Sequence, residues 1–161
     1  MKKIILFLCL ITLLFSSCVT LKPTNVTWNA SIDNYKYVYI TPTSEKTSVS
    51  GAVVGGKYGV YGATDSHSSN PADIISGHFI KRGYTRLPEI QSELIDKTCI
   101  VNFGEIACYS DGFYHYEEII IQILSAKTND IICVGSSEER GDTEAAALRK
   151  AIDRCMEEIF K

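Results

Sequence analysis

The chain of 161 residues has no run of lysines or arginines, no Cys-x-x-Cys pair, no apolar stretch of membrane-spanning length and only three histidines. Each absence excludes something. With 19 acidic against 16 basic residues and no basic run, a nucleic-acid interface is not expected, because such surfaces present a basic face. Without Cys-x-x-Cys, zinc-ribbon and thioredoxin-like chemistry are not expected. His67, His78 and His115 fall on segments read as loop, helix and strand, so nothing local gathers them into a metal cluster. What is present is ordinary for one globular domain: 45% hydrophobic and 22% charged residues.

The N-terminus is informative. Lys2 and Lys3 precede an apolar run from Ile4 to Phe15. That length suits a signal h-region and falls short of the roughly 20 residues a spanning helix needs. Phe15-Ser16-Ser17-Cys18 then resembles the lipobox of bacterial lipoproteins, departing from it where Phe15 stands in place of the preferred Leu. The resemblance implies a signal peptide over residues 1–17, cleavage before Cys18, and acylation of Cys18. One acyl chain binds a bilayer only marginally, while two or three on one cysteine hold firmly. An Ala-x-Ala site for ordinary secretion is absent. Residues 18–34 read as the lipidated cysteine and a tether extended by Pro23, and 35–161 as one domain. Loss of Lys2 and Lys3 leaves 14 basic against 19 acidic residues, a net charge of −5. No acidic cluster follows Cys18. Surface-exported lipoproteins of the Bacteroidetes often carry one, so an outer-membrane protein facing the periplasm is expected.

Cleavage also removes Cys9 and leaves Cys99, Cys108, Cys133 and Cys155 beside the lipidated one. The compartment permits disulfides. Three of the four lie in apolar segments, which favours buried free thiols acting as small hydrophobes.

Along the domain, residues 35–41 read as a strand and 44–48 as a loop. Residues 49–63 are Gly-rich and fit either a hairpin turning at Gly55-Gly56 or a flexible loop. Residues 64–69 read as a polar loop. Asn70-Pro71-Ala72-Asp73 opens a helix that Gly83 stops. A short strand (84–87) and a connector with one helical turn (88–97) follow. Strands over 98–108, 113–125 (expected to be the longest) and 131–136, turning at Asp111-Gly112 and Asn129-Asp130, form a meander. A last helix runs from about 143 to 160, with Leu148, Ile152, Cys155 and Ile159 on its apolar stripe. The fold expected is α+β: an antiparallel sheet with a C-terminal meander and two helices packed on one face.

Several motifs resolve into structure. Gly51-Ala-Val-Val-Gly-Gly56-Lys57-Tyr58 approaches a phosphate-binding loop, but it lacks the Ser or Thr hydroxyl and the following helix. Asp65, Ser66 and His67 are adjacent and cannot take triad geometry. His78 on an apolar face reads as a satisfied core histidine. His115 and Glu117 share a strand face and read as a solvated strand end before a metal pair. Glu117-Glu118 and Glu138-Glu139 read the same way. Tyrosines 35, 37, 39, 58, 61, 109, 114 and 116 with Phe113 are strand formers first. Among them Tyr58 and Tyr61 on the Gly-rich segment are the candidate binding surface.

The segments Asn70-Pro-Ala-Asp-Ile-Ile-Ser-Gly, Lys81-Arg-Gly-Tyr, Asp96-Lys-Thr, Val101-Asn-Phe-Gly-Glu and Ser125-Ala-Lys-Thr resemble small uncharacterised lipoproteins of Bacteroidales. The likeness covers most of the chain after Cys18 and implies no activity. The expected function is a lipid-anchored, non-enzymatic module of the bacterial envelope. It would have no cofactor, metal or nucleic-acid partner, and would bind a bilayer through Cys18 and an envelope protein or glycan through its domain. The alternative is a hydrolase or ligand-binding enzyme whose residues meet only in the fold. Cys18→Ala should abolish incorporation of labelled palmitate and leave an uncleaved or soluble product; a variant that still takes up label removes the lipidation reading.

Overall fold

The computed structural model describes residues 20–56 and 59–161, with backbone alone over 47–68. The leader, Cys18 and Tyr58 lie outside the described residues. In chain order the elements are β1 (Asn25–Trp28), β2 (Tyr37–Ile40), β3 (Lys46–Gly56), β4 (Gly59–Ser69), α1 (Pro71–Lys81) and β5 (Thr85–Arg86). A 3₁₀ segment (Ser92–Lys97) then leads to β6 (Thr98–Ser110), β7 (His115–Ser125), β8 (Ile131–Gly141) and α2 (Glu144–Ile159).

β7 organises the core. Ile119, Ile121 and Ile123 alternate onto one face and are fully buried. They meet Leu148, Ile152, Cys155 and Met156 on α2, all equally buried. Each such side chain contributes about 1.5–3 kcal/mol over exposure. α1 lies beside α2, and Phe79 packs edge-on against Tyr84 and Phe160, with both centroid separations 5.2 Å. His78 Nε2 bonds Asp153 Oδ1 at 2.7 Å, so the histidine is satisfied and joins the two helices.

The helices start where side chains cap them. Asn70 Oδ1 accepts the Ala72 amide at 3.0 Å, and Thr143 Oγ1 accepts the Ala146 amide at 3.2 Å. Gly83, at φ +87°, ends the first with a backbone turn that other residues avoid. At the β6–β7 turn the Asp111 carboxylate accepts the amides of Phe113 and Tyr114 at 2.9 and 2.7 Å.

Six strands form one sheet in the order β1-β8-β7-β6-β2-β5, and β3-β4 make a separate hairpin. The α+β architecture is as expected, with two helices packed on the sheet, which is mostly antiparallel. β2 is the exception: it pairs parallel with β5 and β6. The hairpin and α1 lie between β2 and β5, a crossover long enough for parallel pairing.

Four local expectations change. Asn25–Trp28, expected in the tether, is an edge strand paired to β8, with Val26 against the core. β6, of 13 residues, is longer than β7, of 11. Thr64–Ser69 and Lys46–Ser48, read as loops, are arms of the hairpin. Backbone pairing across the ladder sets their conformation. Gly55 and Gly56 sit on β3 rather than in a turn, because the ladder continues to Gly56↔Gly59.

Gly135 and Gly141 of β8 mark close sheet–helix approaches: a Cβ at Gly141 would run into the Ala147 backbone nitrogen, while Gly135 faces side chains of α2. A Cβ at Gly135 would lie 2.7 Å from Cys155 Sγ and 2.9 Å from Ile159 Cδ1. Gly135→Ala should cost about 1–3 kcal/mol through overpacking. In urea denaturation, adding Cys155→Ala should recover part of that loss, because it removes the nearest atom.

Candidate functional site

The core alternation of β7 continues past Ile119 to Glu117. That carboxylate is therefore on the helix-covered face, and its side chain is 0% exposed. The expectation of a solvated strand end fails here, and it fails again at Glu138, which is 4% exposed. A signal was present at Glu117: it shares the odd positions of three core isoleucines.

Lys46, the first residue of β3, answers Glu117. Its Nζ lies 2.7 Å from Glu105 Oε2, 3.2 Å from Glu117 Oε1 and 2.6 Å from Glu144 Oε1. Burial pulls the lysine's pKa down, but hydrogen bonds to the three carboxylates outweigh it and hold the ammonium above its ordinary range. Burial raises Glu117, against the lowering effect of Cys108 and Lys46. Among the described residues, Glu117 Oε2 accepts no hydrogen bond. Cys108, directly opposite Glu117 in the ladder, is an exposed free thiol. Desolvation, then Glu117, push it up to about 11.

A register shift assembles this group. β6 is irregular between Glu105 and Ala107, with Ile106 left out of the pairing. Residues three apart on a regular strand point to opposite faces. The extra residue, a β-bulge, lets Glu105 (opposite Ile119) and Cys108 (opposite Glu117) share the helix side. Glu144 comes from the first turn of α2. Four elements thus converge on one ammonium.

The other sheet face carries a second group. Tyr109 and Tyr116 stack with centroids 4.7 Å apart at 4°. Tyr109 Oη donates to Glu138 Oε1 at 3.0 Å, and Tyr116 Oη donates to Asp111 Oδ2 at 2.9 Å. Burial, then the carboxylate partner, raises both phenols. Amide donation from Tyr114 and Phe113 holds Asp111 below the usual carboxylate range. The Lys22 amide donates to Glu138 Oε2 at 2.8 Å, and Lys22 Nζ reaches Glu118. Beyond this corner, no helix among the described residues covers the face. Tyr37, Tyr39, Ile100, Ile120, Leu124 and Val134 are half-buried side chains along it.

The remaining candidates are dispersed. Tyr61 lies on β4 opposite Val54, and the side chains of Tyr61 and His67 are outside the described residues. His115 pairs with Ser110 and Gly141 at the strand end, and no described hydrogen bond or ion pair joins it to Glu117. Cys99, Cys133 and Cys155 are buried free thiols. A groove of about 530 Å³ runs beside β1, lined by Trp28, Ile32, Asp33, Ile159 and Phe160, and contains no acid–base pair among its lining residues. No helix among the described residues is long and apolar enough to cross a membrane.

No family model matches the chain, and no curated protein does. Solved structures do match. A PelC dodecamer from Paraburkholderia phytofirmans aligns with TM-score 0.51 at 9% identity, covering 86% of this chain and 96% of that one. A single-residue variant of PelC from the same organism, also a dodecamer, gives 0.48 at 7% identity, covering 86% and 93%. At this identity the likeness is one of fold.

Lys46→Met should cost about 3 kcal/mol, because it leaves Glu117 buried without its cation. Glu117→Gln should cost less, since the charge itself is gone. In Lys46→Met the Glu117 pKa rises further above its unfolded value of 4.5. The folded state then binds a proton that the unfolded state lacks, so stability should rise as pH falls from 7 toward 5. Urea denaturation at the two pH values checks this against Glu117→Gln, in which Glu117 no longer titrates.

Proposed function

We propose that this chain is a lipid-anchored, non-enzymatic binding module of the bacterial envelope whose uncovered sheet face seats a protein partner, first of all another copy of itself. The observation that carries the reading is that face. Tyr37, Tyr39, Ile100, Ile120, Leu124 and Val134 lie half-exposed on a sheet whose two α-helices among the described residues pack on the other side. The patch is interrupted by the Asn102–Gln122 pair, and partly exposed apolar surface of this kind marks interaction sites on soluble domains. Most of these side chains are aliphatic, which fits the apolar centre of a protein interface.

Two further points support it. A structural neighbour, PelC from Paraburkholderia phytofirmans, is a dodecamer, and self-assembly on a shared fold is the simplest use of such a face. Lys22 is bound to Glu118 and Glu138 at the corner of this face. It lies four residues beyond Cys18, and four extended residues span at most about 14 Å. An acylated Cys18 would therefore hold this corner of the sheet beside the bilayer, within reach of the exposed Phe113 and Tyr114.

The protein purified in detergent should give oligomers by native mass spectrometry, and Ile120→Lys should shift them to monomer without lowering thermal stability. A photo-crosslinker placed at Ile120 in cells should yield an adduct of two copies. A monomer at all concentrations, together with no adduct in cells, overturns the reading.

A further inference from the structure

The group around Lys46 has more negative charge than its cation balances. Glu105, Glu117 and Glu144 face one ammonium, leaving a net charge of −2. Glu117 is fully buried, and its Oε2 has no partner among the described residues. A carboxylate oxygen so placed has lost its water, and no donor among the described residues meets it at hydrogen-bond distance. Cys108 Sγ and one carboxylate oxygen each from Glu117 and Glu144 all lie within 4.8 Å of one another.

We propose that Cys108, Glu117 and Glu144 form a binding site for a divalent transition-metal ion of the zinc class. A thiolate with two carboxylates suits a borderline-soft ion that takes four ligands, the fourth position falling to water. Magnesium and calcium, which prefer all-oxygen shells, suit it less. The Lys46 ammonium marks the place: it already contacts Glu117 and Glu144, and on metal binding it retains Glu105. Cys108 gives its proton to solvent as the sulfur–metal bond forms, and no redox change is involved.

The position of each ligand follows from structure described above. The β6 bulge aims Cys108 at Glu117, β7 buries Glu117, and the Thr143 cap sets the first turn of α2, which carries Glu144. Cys108 and Glu144 are accessible, so the ion has an entry path. This site is independent of the sheet face proposed for partner binding, which lies on the other side of the sheet.

Cobalt titration of the full protein in detergent tests it. One Co²⁺ should bind and give a thiolate-to-cobalt charge-transfer band, which zinc bleaches. Cys108→Ser should lose the band and weaken zinc binding by at least about tenfold, the scale set by losing even an indirect contributor to a metal site. Glu144→Gln, at a half-exposed position on a helix end, should weaken zinc without unfolding the domain. Lys46→Met should bind zinc more tightly than the native protein and regain melting temperature when zinc is added. An unchanged band in Cys108→Ser, or zinc affinity in Lys46→Met no higher than native, overturns the proposal.

Discussion

Everything in this fold leans on the strict two-residue alternation of β7. Its odd positions, Ile119, Ile121 and Ile123, form the floor on which α2 rests. A slip of one residue would exchange that floor for Glu118, Ile120, Gln122 and Leu124, placing a charge and an amide under the helix. The neighbours obey the same parity. Val101 and Cys99 on β6, and Cys133 and Gly135 on β8, face the helices beside them. At Gly135 and Gly141 the spacing closes so far that a Cβ would fall under 3.0 Å from atoms of α2.

The same alternation has a cost at its end. It carries Glu117 under the helix layer, and charge cannot be buried without an answer. Lys46 supplies that answer from a different part of the chain. The start of β3, the start of α2, and the middle of β6 and β7 are thereby joined through one ammonium. The hairpin has no partner strand in the main sheet, so Lys46 is one of the links that position its base. Stability and site geometry therefore meet in one side chain.

Much of this was legible in the sequence. The two capped helices, the meander and the helix-on-sheet packing follow from periodicity and turn residues that act locally. Asn70, Gly83, Asp111 and Thr143 each do in the structure what their chemistry suggests. Three features were not legible, for physical reasons. β1 is four residues long and gains its structure from pairing with β8, which local propensity does not report. The polar hairpin arms gave loop signals because polarity tracks water rather than backbone conformation. The Lys46 group depends on a bulge at Ile106, and an extra residue in one strand leaves no mark until its partner is known. Glu117 was the readable clue, since it extends an apolar stripe by one step of two.

The pairing of β1 with β8 has a consequence for how the chain comes to be folded. Asn25 lies opposite Ser136, so the first strand waits for almost the last. Contacts so distant in sequence form late, because the loop between them must close first. Until β8 arrives, β1 has no sheet to join, and Val26 has no core. The first described strand is thus locked by the last. A chain cut short before residue 131 would lose the strand it could not yet contain, and would leave the one it began with as an unpaired thread. The sheet closes only when its first and last described strands meet at one edge.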